Sequence, residues 1–413
     1  MRRVVVTGIG AVTPCGNDMK TTWDNLINGV CGIDLIPEER FSTEGLKVKV
    51  AGLVKDFDPT KYFEKKEVRK NDPYTLFAVA AATEAVEDSG ILGNIEEENF
   101  GVYVGSGIGG LDSFYKNSIN FEKSGAKKVS PFFIPMMISN MASGTIAIKF
   151  KAKGPCVPIV TACATGANAI GEAFHSIKNG YCDAIIAGGA EAAVSPLSVA
   201  GFQNIKALTT VDDPKKASIP FDKNRSGFVM GEGGACMILE EYEHAKARGA
   251  KIYAEIAGYG NTCDANHITA PDSTAVVPAN AIKVAMKEAG VTGDEEWYWN
   301  AHGTSTHLND ITETKAIKLA LGDKAYNVNV SSTKSMTGHL FGATGALEAI
   351  VCALTLQNGI IPPTIGYTEK DEECDLNYTP NKAVKRDVTV AASTNLGFGG
   401  HNACLIFKKY MED

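Results

Sequence analysis

Cys163 stands between a short β-branched run and a helix-like segment, in Val160-Thr161-Ala162-Cys163-Ala164-Thr165-Gly166, with Ile170, Phe174 and Ile177 following at helical spacing. That context puts a sulfur at a helix N-terminus. Unpaired N–H groups and the positive end of the dipole there favour thiolate, so a lowered thiol pKa and acyl transfer are expected. Two histidines extend the set. His302 lies in Asn300-Ala301-His302-Gly303-Thr304-Ser305-Thr306, and His339 closes Ser332-Thr333-Lys334-Ser335-Met336-Thr337-Gly338-His339. Each falls at the end of a strand-like run, among small residues that let a substrate approach. A thiolate and two neutral imidazoles suffice for carbon–carbon bond formation between thioesters. The thiolate takes an acyl group, and the imidazoles donate hydrogen bonds to a second thioester as it becomes enolate-like. Backbone amides hold the oxyanions. The loop Asn395-Leu396-Gly397-Phe398-Gly399-Gly400-His401-Asn402 can supply one such amide, and its glycines permit motion. Lys334 near His339 would keep that imidazole neutral. Glu348, in an otherwise apolar helix, needs a basic partner.

The elements that must position these groups carry a repeat. Ala-Thr-Gly-Ala occurs at 164–167 and at 343–346, an offset of 179 residues, and each copy is followed after eleven residues by Asn-Gly. Cys163 abuts the first copy and His339 stands four residues before the second. A duplicated unit about a pseudo-twofold axis brings the two together. Gly258-Tyr259-Gly260 echoes Gly8-Ile9-Gly10, which places the boundary between an N-terminal half, 1–250, and a C-terminal half, 251–413. Strands are expected at 3–7, 101–105, 183–188 and 252–259, and helices at 73–88 and 275–289. Asp310 with Glu313 three residues on resembles a capping box opening a further helix. Residues 347–357 (LEAIVCALTLQ) are apolar on nearly every face, as a helix sandwiched between sheets should be. The expected fold is α/β, with helix and sheet layers around a buried helix pair.

Composition narrows the function. The chain has 413 residues, is 44% hydrophobic and carries a net charge of -8 with scattered basic residues, which argues against nucleic-acid binding. Its first apolar run is broken by Gly8 and Gly10, too short for a signal core or a membrane span. Ten cysteines without a Cys-x-x-Cys pair suggest reduced, mostly core-filling thiols in a cytoplasmic protein. Gly105-Ser106-Gly107-Ile108-Gly109-Gly110 fits a dinucleotide fingerprint, but no strand with an acidic end follows at the required distance. His302, His307 and Asp310 do not make a metal site, since Asp310 is better used as a cap; no metal is expected. His267, in Asp264-Ala265-Asn266-His267, resembles part of a loop near a substrate entrance, while His175 and His244 look helical and carry no signal.

TACATGANAIGEA, FDKNRSGFVMGEGG, NAHGTST, STKSMTGHLFGATGALEA and NLGFGGHN, in this order, resemble the signature blocks of the β-ketoacyl-[acyl-carrier-protein] synthases of the thiolase superfamily. The resemblance spans essentially the whole chain. The TACATGAN form around the cysteine is more similar to the elongating, type II enzymes than to type I, and His at both 302 and 339 separates the chain from the type III initiators. The resemblance implies a thiolase-like fold of duplicated βαβαβαββ halves layered α-β-α-β-α, and a decarboxylative Claisen condensation by a ping-pong route. By the same resemblance Cys163 is the acylated nucleophile, His302 and His339 bind and decarboxylate the malonyl thioester, and Lys334 and Glu348 support them. The N–H groups of Cys163 and Phe398 form the oxyanion hole, with Phe398 also a gate. Ile108, Phe202, Thr304, Thr306, Phe398 and Gly399 contact substrate. The partners implied are acyl carrier protein and a second copy of the chain, and no cofactor is implied beyond the carrier's phosphopantetheine. Lys65, Lys66, Arg69 and Lys70, with Lys127, Lys128 and Lys206, form the expected docking patch for an acidic carrier. Some positions depart from the pattern: His307 and Asn309 stand where Pro and Gly are usual, Leu396 and His401 alter the gate loop, and Ser226 replaces a frequent acid. A specialised, polyketide-type synthase with the same three residues is the alternative reading. Intact Cys163 speaks against a silent partner subunit, and product analysis would separate a thioesterase.

Overall fold

The computed structural model describes residues 2–411. Nine strands form the main sheet: β1 Val4–Val12, β2 Phe100–Gly105, β3 Ala184–Glu191, β4 Gly233–Glu241, β5 Ala254–Cys263, β6 Trp297–Asn300, β7 Asn329–Ser331, β8 Val390–Gly397 and β9 His401–Lys408. Their order is β2-β3-β4-β1-β5-β9-β8-β6-β7. Read outward from the centre, the two sides repeat. β1/β4 and β4/β3 are antiparallel and β3/β2 parallel. Likewise β5/β9 and β9/β8 are antiparallel and β8/β6 parallel. β7 extends the second side, where the first has a single parallel bridge, Val102 to Cys156. The sides join where Val4, Val5 and Val6 pair with Ile256, Glu255 and Ala254.

Five helices matter for the site: α1 Pro73–Ser89, α2 Thr165–Lys178, α3 Val276–Ala289, α4 His307–Leu321 and α5 Thr344–Asn358. α1 packs on β1 and α3 on β5. The paired glycines explain the close fit, because a side chain on Gly8 or Gly10 would overlap the carbonyls of Ala85 or Ala81, and one on Gly258 or Gly260 those of Ala285 or Ala281. Both strands therefore run on through their glycines, β1 as far as Val12. α2 and α5 meet in the middle, where a Cβ on Gly166 would lie 2.7 Å from Ala346 N and one on Gly345 2.5 Å from Ala167 N. α5 is buried from Thr344 to Leu356, as its uniformly apolar sequence requires. This is the layered, duplicated thiolase-like arrangement.

One local expectation is corrected. α4 starts at His307, after Thr306, with no side-chain cap, so Asp310 and Glu313 are not its capping box. Asp310 is wholly buried, accepts the Phe221 N–H at 2.8 Å and lies 3.4 Å from Arg225 Nε. Glu313 turns to the loop after β6. A buried guanidinium and two inward backbone amides outweigh what the helix end could offer these carboxylates.

Candidate active site

Cys163 is the middle residue of a 3₁₀ turn, Ala162–Ala164, that runs directly into α2. Phe341–Ala343 makes the same turn into α5. Ala162 has φ +50 and Phe341 φ +47, both in the left-handed region costly for L-residues, and they are 179 positions apart like the sequence repeat. The repeated word thus marks two equivalent strained turns at the helix pair. Cys163 opens onto a cavity of about 620 Å³ that His302 and His339 also line. One ligand-type atom from each of the three lies within 4.8 Å of the others.

The backbone and buried polar groups fix both imidazoles. His302 N–H and Gly303 N–H donate to the two oxygens of Glu313 at 2.6 and 2.7 Å. Thr394 Oγ1 donates to the same carboxylate at 2.6 Å and accepts from Trp299 Nε1 at 2.9 Å. His339 Nδ1 accepts from Phe341 N–H at 3.3 Å and lies 3.0 Å from Thr344 Oγ1. A backbone N–H only donates, so the His339 proton sits on Nε2, which is buried with no partner among the described residues. His302 Nδ1 faces Asn395 Nδ2 at 3.4 Å, and Asn395 Nδ2 donates to Glu348 Oε2 at 2.7 Å, so His302 also keeps its proton on Nε2. Glu348 Oε1 pairs with Lys334 Nζ, both buried. Burial pushes His302 and His339 well below the ordinary histidine range, and Lys334 pushes them further; His339 adds to this at His302. The result is two neutral N–H donors beside a sulfur. The spacing alone would admit a metal ion, but the imidazoles offer hydrogens, not lone pairs, to the centre of the cluster.

The thiol corrects another expectation. Burial pushes Cys163 up to about 12, against the opposing pull of Lys334 and of the Phe398 and Cys163 N–H groups, while Glu191 raises it further. Desolvation outweighs the helix N-terminus, so the resting group is a thiol and its proton must leave as the acyl group arrives. The N–H groups of Phe398 and Cys163 both face the sulfur.

Ile108, Phe202, Thr304, Thr306, Phe398 and Lys206 line the cavity with the three central residues. Thr304 and Thr306 hydroxyls are 2.9 Å apart, and Phe202 packs on Phe228, Phe341 and Phe398. Gly399 lies outside the lining, its N–H donating to Ile268 O at 2.8 Å. Lys65, Lys66, Arg69, Lys127 and Lys128 are exposed and Lys70 half-buried, away from the lining. Lys66 pairs with Glu64 and Lys70 with Glu67, each at 2.8 Å. Among the departures, His307, Asn309, Leu396 and Ser226 line the cavity, and His401 lies under Gly399.

Sequence reasoning missed Glu313, Asn395, Glu191 and Arg225. Arg225 is buried, donates to Asp371 at 2.6 Å and to His307 O at 3.1 Å, and so holds the cavity rim at the start of α4. No local signal marked it, because its neighbours Asp222, Lys223, Asn224 and Ser226 are polar and its partner Asp371 stands 146 positions away.

Comparison with known proteins gives the family. The profile of "Beta-ketoacyl synthase, N-terminal domain" matches residues 1–245, and that of "Beta-ketoacyl synthase, C-terminal domain" residues 253–368. The chain is 49% identical to a 3-oxoacyl-[acyl-carrier-protein] synthase 2 of Staphylococcus aureus, covering 99% of both chains. It is 50% identical to one of Synechocystis, covering 99% of this chain and 98% of that one. A beta-ketoacyl synthase from Burkholderia phymatum superposes with a TM-score of 0.92 at 35% identity over the full length of both. A type II polyketide ketosynthase solved in complex with its acyl-carrier protein gives 0.92 at 33% identity, over 99% of this chain and 100% of that one. With fold, turns and imidazole pair all in place, the chain belongs to the beta-ketoacyl synthase family of condensing acyltransferases.

Proposed function

We propose that the protein is a β-ketoacyl-[acyl-carrier-protein] synthase that lengthens acyl chains by two carbons with malonyl carrier protein. The carrying observation is the pair of neutral imidazoles, each with Nδ1 facing a donor and its proton on Nε2, beside the Cys163 sulfur. In the first half-reaction Cys163 Sγ attacks the acyl thioester. The thiol proton passes to the carrier's sulfur as the acyl–sulfur bond breaks, so the carrier leaves as a thiol, and the N–H groups of Cys163 and Phe398 hold the oxyanion. In the second, His302 and His339 donate to the malonyl thioester oxygen, the C–C bond to the carboxylate breaks and CO₂ leaves. The enolate carbon attacks the acyl carbon, and collapse breaks its bond to Cys163 sulfur. Lys334 keeps the imidazoles neutral, and Glu348 orients His302 through Asn395.

Residues 1–250 carry the nucleophile and residues 251–413 both histidines. Thr304 and Thr306 hold the pantetheine arm, Ile108 and Phe202 the acyl tail, and Phe398 with Gly399 gates entry. The basic segments with Lys206 meet the acidic carrier protein, and the enzyme acts as a cytoplasmic homodimer. No described helix is long and apolar enough to cross a membrane. Fatty-acid elongation is preferred over a polyketide pathway because the synthase 2 relatives share 49–50% of residues, against 33% for the polyketide ketosynthase. The test is product analysis with acyl and malonyl carrier proteins by intact mass. A chain two carbons longer on the carrier is expected; free acid alone would identify a thioesterase. Cys163→Ala should form no acyl-enzyme yet still release CO₂ from malonyl carrier protein, and an adduct persisting in that variant would remove Cys163 as nucleophile.

A further inference from the structure

Glu191 has no part in the chemistry above, yet its carboxylate lies against it. It ends β3, beside the end of β2, and is fully buried. Four donors converge on it. Ser106 Oγ and Ile108 N–H reach Oε1 at 2.7 and 3.3 Å, and Gly107 N–H and Gly342 N–H reach Oε2 at 2.8 and 3.1 Å. Ser106 Oγ itself accepts from Gly109 N–H at 2.9 Å, which leaves its proton for Glu191. An ionised carboxylate accepts four such bonds without a hydrogen of its own.

The donors belong to two separate parts of the site. Ser106–Ile108 is the turn after β2 that sets Ile108 against the cavity. Gly342 follows Phe341, whose N–H fixes the tautomer of His339. The Gly342 carbonyl is wedged over Gly189 of the same strand, where a side chain would overlap it. Oε2 alone bridges the two turns, much as Glu313 holds the amides of His302 and Gly303 in the other half. We infer that Glu191 is a positioning residue for the condensation, one carboxylate that holds the acyl-tail turn and the His339 turn in register; the inference rests on the condensing reading of the site.

Glu191→Gln separates the two arms. The amide nitrogen must replace one oxygen. At the Oε2 position it would face two backbone N–H groups; at Oε1 it faces one, because Ser106 Oγ can rotate to accept. The nitrogen therefore goes to the Oε1 side, the Ile108 amide loses its acceptor, and the bridge to Gly342 survives. The expected result is that acylation of Cys163 by a long-chain acyl carrier protein falls at least roughly fivefold more than CO₂ release from malonyl carrier protein, since an orphaned buried amide acts on the tail turn alone. Ser106→Ala, which removes one Oε1 partner and leaves the carboxylate, should move the ratio in the same direction and keeps the test open should Glu191→Gln fold poorly. A loss of folded enzyme would scale both half-reactions together. A ratio within about twofold of wild type in both variants, or moved the other way, overturns the inference. Wild type run in parallel separates the failures: wild type that neither takes acyl groups nor releases CO₂ sinks the condensing reading and this inference with it.

Discussion

The protonation state of Cys163 gives the sharpest test of the site, because two physical effects oppose each other there. The start of α2 favours thiolate, while burial pushes the thiol up to about 12. At pH 8 a thiol at about 12 is ionised to about one part in 10⁴, against about one part in four for an ordinary thiol near 8.5. A more basic thiolate is the better nucleophile, and a Brønsted slope of about 0.4–0.5 returns about 25- to 55-fold over that shift. The net expectation is alkylation of Cys163 by iodoacetamide about 40- to 100-fold slower at pH 8 than for an unperturbed thiol. The rate should climb about tenfold per pH unit from pH 6 to 10 without a plateau. Lys334 opposes the burial effect, so Lys334→Met should slow the reaction further at every pH. The assay is peptide mass spectrometry of the Cys163 segment in native and denatured enzyme, which gives the unperturbed rate from the same peptide. A plateau below pH 8.5, or a native rate equal to the denatured one at pH 8, would refute the argument and restore the helix N-terminus as the stronger effect.

Ile108→Phe puts bulk into the acyl wall at about 1 to 3 kcal/mol of repacking, so kcat/KM for decanoyl over hexanoyl carrier protein should fall roughly 5- to 150-fold; a ratio within about twofold of wild type means that Ile108 does not face the tail. Reversing the charge of Lys66 and Arg69 should raise KM for carrier-bound substrate, more at low salt, and spare small thioester mimics; equal effects on both kinds of substrate would show that the change is not about docking. Glu313→Gln must orphan at least one of the His302 and Gly303 amides, for about 1–3 kcal/mol in denaturant unfolding and a drop in CO₂ release; wild-type stability and decarboxylation together would contradict the hydrogen-bond pattern drawn for His302.

The sequence carried most of the fold and the central residues because both leave marks of fixed period. Ala-Thr-Gly-Ala at one offset marks equivalent strained turns, and Gly8-Ile9-Gly10 and Gly258-Tyr259-Gly260 mark strands that a helix must touch. What stayed hidden were groups whose role depends on contacts distant in sequence. Glu313 looked like a cap because Asp310 stands three residues before it, but its partners are amides ten and eleven positions earlier, after β6. Glu191 reaches Gly342 across 151 positions, and no local spacing announces that. The thiol misled for a related reason: the helix start is readable in sequence, whereas burial is a property of everything packed around it.

The duplication also accounts for there being one nucleophile. Cys163 and Gly342 occupy equivalent positions in the two turns, 179 residues apart. A Cβ at 342 would lie 2.5 Å from Gly107 N and 3.0 Å from Glu191 Oε2, so no side chain fits there while the carboxylate bridges the turns. At 163 the space beside the turn is instead the cavity, and the nearby N–H of Phe398 faces the sulfur. A carboxylate stands on one side of the pseudo-twofold axis and hydrogen-bond donors on the other. That asymmetry leaves one copy of the turn with a sulfur on the cavity and makes the other the brace for His339.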